Sequence, residues 1–143
     1  MKKSLPLLLF AFASAQLFTG CVSTPTPKPQ PPATHAYTPA KGSAERNAIL
    51  HATHVAMEKT DPKKKTLVVP YLKVNAGWAW IQVNPQSPDG TQHYESQSGL
   101  LQKKSGEWTL LEWMPADEGL NTDEYFQDLK KKYPSAPADI FPS

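Results

Sequence analysis

The chain has 143 residues, with 15 basic side chains, 13 acidic side chains and a single cysteine. Four basic residues (Lys2, Lys3, Lys28 and Lys41) precede residue 43, so the rest of the chain carries 11 basic against 13 acidic side chains. A nucleic-acid-binding domain needs a clustered excess of Lys and Arg, which this mildly acidic region lacks. One cysteine also excludes an internal disulfide, a redox pair and a zinc–thiolate site.

Residues 1–20 predict an export signal. Lys2 and Lys3 precede an apolar run from Leu5 to Phe18, and the small pair Thr19-Gly20 follows. A charged start, an apolar middle and small residues before a cleavage point are typical of such signals. The run is interrupted, and it is shorter than the roughly 20 apolar residues that a membrane-spanning helix needs.

Cys21 stands where a lipid anchor would be attached. The segment Leu17-Phe18-Thr19-Gly20-Cys21 resembles the lipobox of a bacterial lipoprotein signal peptide, with Phe18 at the position that usually holds leucine. The resemblance implies cleavage before Cys21, a diacylglyceryl group on its thiol and a further acyl chain, such as palmitate, on the new amine. Val22 stands where an aspartate would resemble the inner-membrane retention signal, which implies anchoring at the periplasmic face of the outer membrane. The alternative is an ordinary cleaved signal with a chance cysteine beside it.

Residues 21–42 are predicted to be a tether that follows the lipidated cysteine. Six prolines lie between residues 22 and 41, and no apolar period runs through them. Such a segment favours extended polyproline II and can span up to ~60 Å. We interpret it as a semi-rigid spacer, with a proline-motif ligand as the alternative.

Residues 43–143 predict a single α+β domain. Ser43 is a candidate N-cap for a helix that ends near Thr60. Four strand-like segments follow, separated by turn residues, at residues 66–74, 78–84, 92–104 and 107–114. Acids in the first turn and lysines in the last turn predict a second helix from Asn121 to Lys132. The expected fold is an N-terminal helix packed on a four-stranded antiparallel meander sheet, with a C-terminal helix.

Three smaller features refine this picture. Pro70 cannot donate to a strand ladder, so the first strand should lie at an edge or contain a bulge. Gly99 marks a candidate bulge in the third strand. Ile140 and Phe141 are large and apolar, which predicts that the C-terminal tail folds back into a groove.

Several short motifs of this domain resemble a group of small, uncharacterised exported bacterial proteins. The motifs are Arg46–Ala52, Leu72–Ala79 with its Gly-Trp-Ala turn, Leu100–Trp108 with its Lys-x-Gly-x-Trp turn, and Ile140–Pro142. One helix on a curved antiparallel sheet is also similar to cystatin-like and nuclear-transport-factor-2-like folds. These folds host both binding and enzymatic roles, so the resemblance implies no particular activity and no catalytic residue.

Four tryptophans within 36 residues are the strongest compositional feature of the domain. Trp78 and Trp80 share one face of their strand, since residues two apart point alike. Trp108 and Trp113 are five apart and should point to opposite faces of theirs. We predict an aromatic groove for sugar rings or a peptide, lined by Trp78, Trp80 and Tyr94; the alternative is that these rings pack in the core.

Other candidate sites are weaker. His51, His54 and Glu58 lie at helical spacing and could clasp a metal, but solvated histidines are the commoner outcome, so we predict neither a metal nor a cofactor. Asp117 and Glu118 could form an acid pair, yet adjacency in a loop favours exposed charge. No nucleophile elbow, phosphate loop or metalloprotease motif is present in the sequence, and we predict no catalytic residue.

The sequence therefore predicts a non-enzymatic lipoprotein of the outer membrane, held there by lipid on Cys21. It would bind or assist another envelope component, protein or glycan, and no nucleic acid. One alternative is a small cell-wall hydrolase. Another is an inhibitor or immunity protein that uses the acidic segment 107–128, which holds seven acids and no lysine or arginine.

Overall fold

The computed structural model of the protein describes residues 34–143. This range forms two helices, four strands and one 3₁₀ turn, and it confirms the predicted α+β class. The elements are α1 (Ala44–Glu58), β1 (Thr66–Asn75), β2 (Trp78–Gln86), β3 (Gln97–Lys104), β4 (Glu107–Trp113), α2 (Thr122–Lys132) and the 3₁₀ turn Ala138–Ile140. The predicted signal peptide, Cys21 and most of the predicted tether lie outside the described residues.

The sheet is the predicted antiparallel meander, in the order β1-β2-β3-β4. Two-residue turns join β1 to β2 and β3 to β4. Their central residues have the positive φ angles that tight hairpins require: Ala76 47°, Gly77 76°, Ser105 51° and Gly106 85°. β3 begins later than predicted, because residues 92–96 contribute only one isolated bridge, between His93 and Gln86.

α1 covers one face of the sheet. As predicted, Ser43 caps this helix, and its Oγ accepts a hydrogen bond of 3.2 Å from the backbone N–H of Arg46. The buried side chains of Ile49 and Met57 pack on Val74, Ala79, Leu101 and further residues of the sheet. This is the first of two apolar clusters in the domain.

α2 and the C-terminal segment cover the opposite face. Phe126 and Leu129 of α2 pack with Ile140 and Phe141 on the sheet residues Trp78, Trp80 and Leu100. The C-terminal tail folds back as predicted, since Ile140 is fully buried and Phe141 is 7 % exposed. The sheet is therefore enclosed between two apolar clusters, one on each face.

β1 lies at an edge and contains a register shift between Val68 and Tyr71, as Pro70 predicts. Part of this edge is covered by the chain that precedes α1, because Tyr37 pairs with Val74 through two backbone hydrogen bonds of 2.8 and 3.0 Å. The fold therefore begins several residues before Ser43, and the predicted boundary at residue 43 is too late. The error arises because this pairing joins residues distant in sequence.

A polar contact at the surface holds this N-terminal segment to the C-terminal one. The Asp139 carboxylate accepts hydrogen bonds from the backbone N–H of Ala36 at 2.7 Å and from the Asn75 amide at 3.0 and 3.1 Å. These bonds lower the pKa of Asp139, with the Asn75 bond as the largest cause. Asp139 thus joins the entry of the chain, the β1–β2 turn and the C-terminal segment.

β4 contains a bulge that changes the direction of its tryptophans. Leu111 has no partner in β3, because its neighbours on either side pair with consecutive β3 residues. One extra residue shifts the alternation of faces by one. Trp108 and Trp113 therefore both pack on the α1 side, and the prediction that they point to opposite faces is wrong.

Candidate functional site

The aromatic groove predicted from Trp78, Trp80 and Tyr94 does not form. Trp78 is 5 % exposed and Trp80 is 1 % exposed, because α2 and the C-terminal segment lie over both rings. The Trp80 ring makes edge contacts with Phe126 and Phe141, with centroids 5.2 and 5.4 Å apart. The two tryptophans belong to the core, which is the alternative that the sequence left open.

Tyr94 lies elsewhere, beside the end of α1. It lines a hollow of about 240 Å³ together with Met57, Lys65 and Pro85. The Lys65 ammonium stands 5.3 Å from the centre of the Tyr94 ring. Asp61 holds that ammonium at 2.6 Å, and this hydrogen bond is the main cause of the lowered pKa of Asp61.

Of the four tryptophans, Trp113 is the least buried. It lines a second hollow, of about 360 Å³, with Ser96, Ser98 and Pro115. Trp113 pairs directly with Gly99 of β3, and a Cβ at Gly99 would lie only 3.0 Å from Cε3 of the indole. The missing side chain of Gly99 therefore lets the indole lie close against β3 while part of the ring reaches the hollow.

The two hollows adjoin. Thr60, Glu95 and Gln97 line both of them, with Tyr94 at one side and Trp113 at the other. We call the combined depression, lined by these five residues, the distal trough. It brings together two aromatic rings, a carboxylate and an amide.

Two polar side chains of the distal trough are available to a ligand. Within residues 34–143, the exposed side chains of Glu95 and Gln97 make no hydrogen bond to another protein group. Ser96 is not available in the same way, because its hydroxyl donates to Asn84 at 2.8 Å and accepts from Gln82 at 3.2 Å. A carboxylate accepts hydrogen bonds, and an amide both donates and accepts them. The two side chains can therefore accept hydrogen bonds from the hydroxyl groups of a ligand and donate hydrogen bonds to them.

The distal trough lies at the opposite end of the sheet from the entry of the chain. Tyr37 pairs with Val74, next to the β1–β2 turn. The pairing of Trp78 with Gln102 places the β3–β4 turn at that same end. Trp113 is the last residue of β4 and lies about 17 Å from that turn, since five paired positions at roughly 3.3 Å each separate them.

The other residues that the sequence offered as candidate sites do not come together into a site within residues 34–143. No group of three metal-ligating side chains that could hold an ion is present in the described part of the chain, and this includes His51, His54 and Glu58. Asp117 is exposed in a turn, where its carboxylate accepts from the backbone N–H of Gly119 at 3.0 Å. Its neighbour Glu118 is exposed as well.

The acidic segment 107–128 is divided among several surroundings. Glu112 accepts from Lys132 at 2.5 Å and from the Tyr133 hydroxyl at 3.2 Å. Asp123 and Glu124 lie in the first turn of α2, where acids complement the helix dipole. Two acids of the segment, Glu112 and Asp128, therefore meet lysines, and two others meet the start of α2.

Comparisons of the chain with protein-family models, with curated proteins and with solved structures find no match. Within residues 34–143, no helix is both long enough and apolar enough to cross a membrane.

Proposed function

We propose that the protein is a binding module of the bacterial envelope that holds a glycan in the distal trough. In this proposal a lipid on Cys21 anchors the chain at the periplasmic face of the outer membrane, and residues 22–35 form the spacer. The observation that carries the proposal is the trough itself, in which Trp113 and Tyr94 flank the side chains of Glu95 and Gln97, neither of which bonds to another protein group within residues 34–143.

The chemistry of the trough suits a sugar better than an apolar ligand. A sugar ring has an apolar face that can lie on an aromatic ring and a rim of hydroxyl groups that need hydrogen-bond partners. Trp113 supplies the aromatic surface, and Glu95 and Gln97 supply acceptors and a donor. The hollow beside Trp113, at about 360 Å³, lies at the lower end of the volumes typical of small-molecule sites, and the hollow beside Tyr94, at about 240 Å³, lies just below it. Each hollow would hold a single sugar ring.

The position of the trough also supports glycan binding. A spacer that enters the domain beside the β1–β2 turn leaves the trough facing away from the anchored end. A site facing away from the membrane surface can reach a glycan layer that lies beyond it. Polyproline geometry gives residues 22–35 a reach of up to ~40 Å, which adds to the length of the domain.

The test is binding of the mature chain to oligomers of N-acetylglucosamine, measured by titration calorimetry. We expect binding that weakens about two- to tenfold in Gln97→Ala and in Glu95→Ala, because each change removes one hydrogen-bonding group. Gln127→Ala is the matched control, since Gln127 is an exposed glutamine on α2, away from the trough. All three side chains are exposed, so the fold should tolerate each change.

Two results would contradict the proposal. One is the absence of binding to any N-acetylglucosamine oligomer at millimolar concentration. The other is binding that Gln127→Ala weakens as much as Gln97→Ala does, because the ligand would then be held outside the trough.

A further inference from the structure

The segment that enters the domain leaves the edge of β1 at Pro39. Before that point Tyr37 pairs with Val74, and the Thr38 hydroxyl donates a hydrogen bond of 3.0 Å to the Leu72 carbonyl. Pro39 has no backbone N–H and cannot extend this pairing. A cavity of about 460 Å³ lies where the segment departs, between residues 38–41, the start of α1 and the bulge of β1.

Arg46 lines this cavity from the first turn of α1. It is the only arginine of the chain, and it is 9 % exposed. Within residues 34–143 its guanidinium makes one hydrogen bond, from Nη1 to the Pro39 carbonyl at 3.3 Å, although it carries five N–H donors. The fully enclosed side-chain atoms that lack a partner in this range belong to Trp108 and Tyr125. The other guanidinium nitrogens therefore keep some accessible surface, and the cavity beside them is where a ligand reaches it.

The charge of Arg46 has no acidic partner. The first acid of the sequence is Glu45, so no acid precedes the described range. Within that range no carboxylate forms an ion pair with Arg46, and Glu45 instead accepts a hydrogen bond of 2.6 Å from the Tyr37 hydroxyl. Burying a charge is costly unless the charge is paired. The chain supplies no anion for Arg46, and a bound anion would lower the cost of burying it.

Two further donors line the cavity. Asn75 and Trp78 close a two-residue turn, so bonded pairs alternate along β1 and the backbone of Leu72 points away from β2. Within residues 34–143 no other group accepts a hydrogen bond from the Leu72 N–H. Lys41 is exposed, lines the cavity and makes no ion pair in this range. The cavity thus combines a guanidinium, an ammonium and a backbone N–H.

The rest of the lining favours an organic anion over a bare ion. No Asp or Glu lines the cavity, and its apolar walls are formed by Pro39, Ala40, Val69, Pro70 and Leu72. Lys73 borders the cavity too, but Leu72 and Val74 pack on the α1 side, so alternation directs the Lys73 side chain to the other face. A volume of about 460 Å³ lies within the usual range for small-molecule sites.

We propose that this cavity binds a small organic phosphate monoester, held by Arg46 and Lys41. The planar fork of an arginine can donate two parallel hydrogen bonds to two phosphate oxygens. A phosphate monoester carries a charge of about −1.5 to −2 near pH 7, which matches two cations better than the single charge of a carboxylate does. The organic part would lie against the apolar walls. This site is separate from the distal trough, because the two share no lining residue.

The test is calorimetric titration of the protein with phenyl phosphate, a monoester whose ring suits the apolar walls. Arg46→Met removes the charge and keeps much of the side-chain length, and it should weaken binding about ten- to hundredfold. Lys41→Gln should weaken binding about two- to fivefold, because an exposed ammonium contributes less. Lys104→Gln is the matched control, since Lys104 is an exposed lysine at the end of β3 that does not line the cavity, and it should leave binding unchanged.

Two other ligands test the class of anion. Methyl phenyl phosphate is a diester, like the headgroup linkage of a phospholipid, and benzoate is a carboxylate. Each carries one negative charge, so each should bind about two- to fivefold more weakly than phenyl phosphate. Binding of the diester that is tighter than that of the monoester would assign the cavity to a lipid headgroup and overturn the monoester.

Urea unfolding without ligand separates a loss of binding from a loss of the fold. Replacing a buried, unpaired charge by an apolar side chain is often neutral or stabilising, so Arg46→Met should unfold at the same or a higher urea concentration. If Arg46→Met does not fold, the comparison of Lys41→Gln with Lys104→Gln decides the matter, because both lysines are exposed.

Two results overturn the phosphate site altogether. One is the absence of phenyl phosphate binding at millimolar concentration. The other is binding that Lys41→Gln weakens no more than Lys104→Gln does, because the ligand would then be held outside this cavity.

Discussion

Replacing Phe141 by alanine tests whether the C-terminal segment holds the core on the tryptophan-bearing face of the sheet. The Phe141 ring is 7 % exposed, and its centroid lies 5.4 Å from that of Trp80 and 5.2 Å from that of Phe126. The substitution removes the ring but leaves the backbone of the segment unchanged. It therefore removes the contacts that this ring makes with the sheet and with α2.

The expected loss follows from the buried area. A buried aromatic side chain removes about 150–250 Å² from water, which at about 25 cal/mol per Å² corresponds to at most about 4–6 kcal/mol. Measured changes from phenylalanine to alanine in cores are about 3–5 kcal/mol. Phe141 lies in a short segment that can relax around the cavity, so we expect a loss of about 3 kcal/mol in the free energy of unfolding.

The measurement is urea unfolding of the protein, followed by tryptophan fluorescence and circular dichroism. Trp80 contacts the altered site directly, so its emission should also change in the folded state. Pro142→Ala is the control, because Pro142 is exposed and should change stability by no more than about 0.5 kcal/mol. A loss below about 1 kcal/mol with unchanged emission would refute the covering role of this segment.

Two further predictions concern the ends of the fold and the β4 bulge. Because hydrogen bonds from Asn75 and Ala36 lower the pKa of Asp139, its carboxylate stabilises the fold above its ordinary pKa of 3.8 and loses this contribution as the pH falls below that value. Asp139→Asn should therefore lower stability at pH 7 and flatten its decline below pH 4 in acid titrations; an unchanged acid profile would contradict the contact. Gly99→Ala should cost about 1–3 kcal/mol in urea unfolding, since its Cβ would meet β4 atoms at 3.0–3.1 Å, whereas at Gly119 a Cβ meets nothing closer than 3.6 Å and Gly119→Ala should be nearly neutral. Equal losses in the two glycine variants would contradict the crowding at the bulge.

The features that the sequence predicted well are those encoded by neighbouring residues. Ser43 caps α1 as expected, because an N-cap depends on a side chain and an N–H only three residues away, and Asn121 caps α2 in the same way. The two tight hairpins follow from Gly77 and Gly106, which tolerate positive φ at the second position of each turn. These two short turns make β1–β2 and β3–β4 antiparallel neighbours, because short connections join adjacent strands.

The features that it did not predict depend on contacts between distant residues. A period of two shows that Trp78 and Trp80 share a face, but not that the C-terminal segment covers that face. The pairing of the N-terminal segment has the same origin, since Ala36 bonds to Asp139, 103 residues away. The pattern of neighbouring residues does not show which distant residues will contact each other.

The sequence did not predict the distal trough, because the position of Trp113 depends on a bulge in β4. Trp113 reaches the distal trough because a single extra residue at Leu111 reverses the alternation of β4. A bulge of this kind leaves no clear mark in a strand that is apolar on both faces, as β4 is. The glycine opposite, Gly99, was the one visible signal, and the predicted bulge at that position lies in the partner strand instead.

Glycan binding in the distal trough should change the indole N–H resonance of the one tryptophan that lines it, Trp113. The indole N–H resonances of the four tryptophans would be followed by NMR during titration of the protein with an N-acetylglucosamine oligomer. We expect the Trp113 indole and the Gln97 side-chain amide to shift with a common saturation curve, while Trp78 and Trp80, buried on the other face, stay unchanged. A titration that shifts the Trp78 or Trp80 resonance and leaves that of Trp113 in place would contradict glycan binding in the trough.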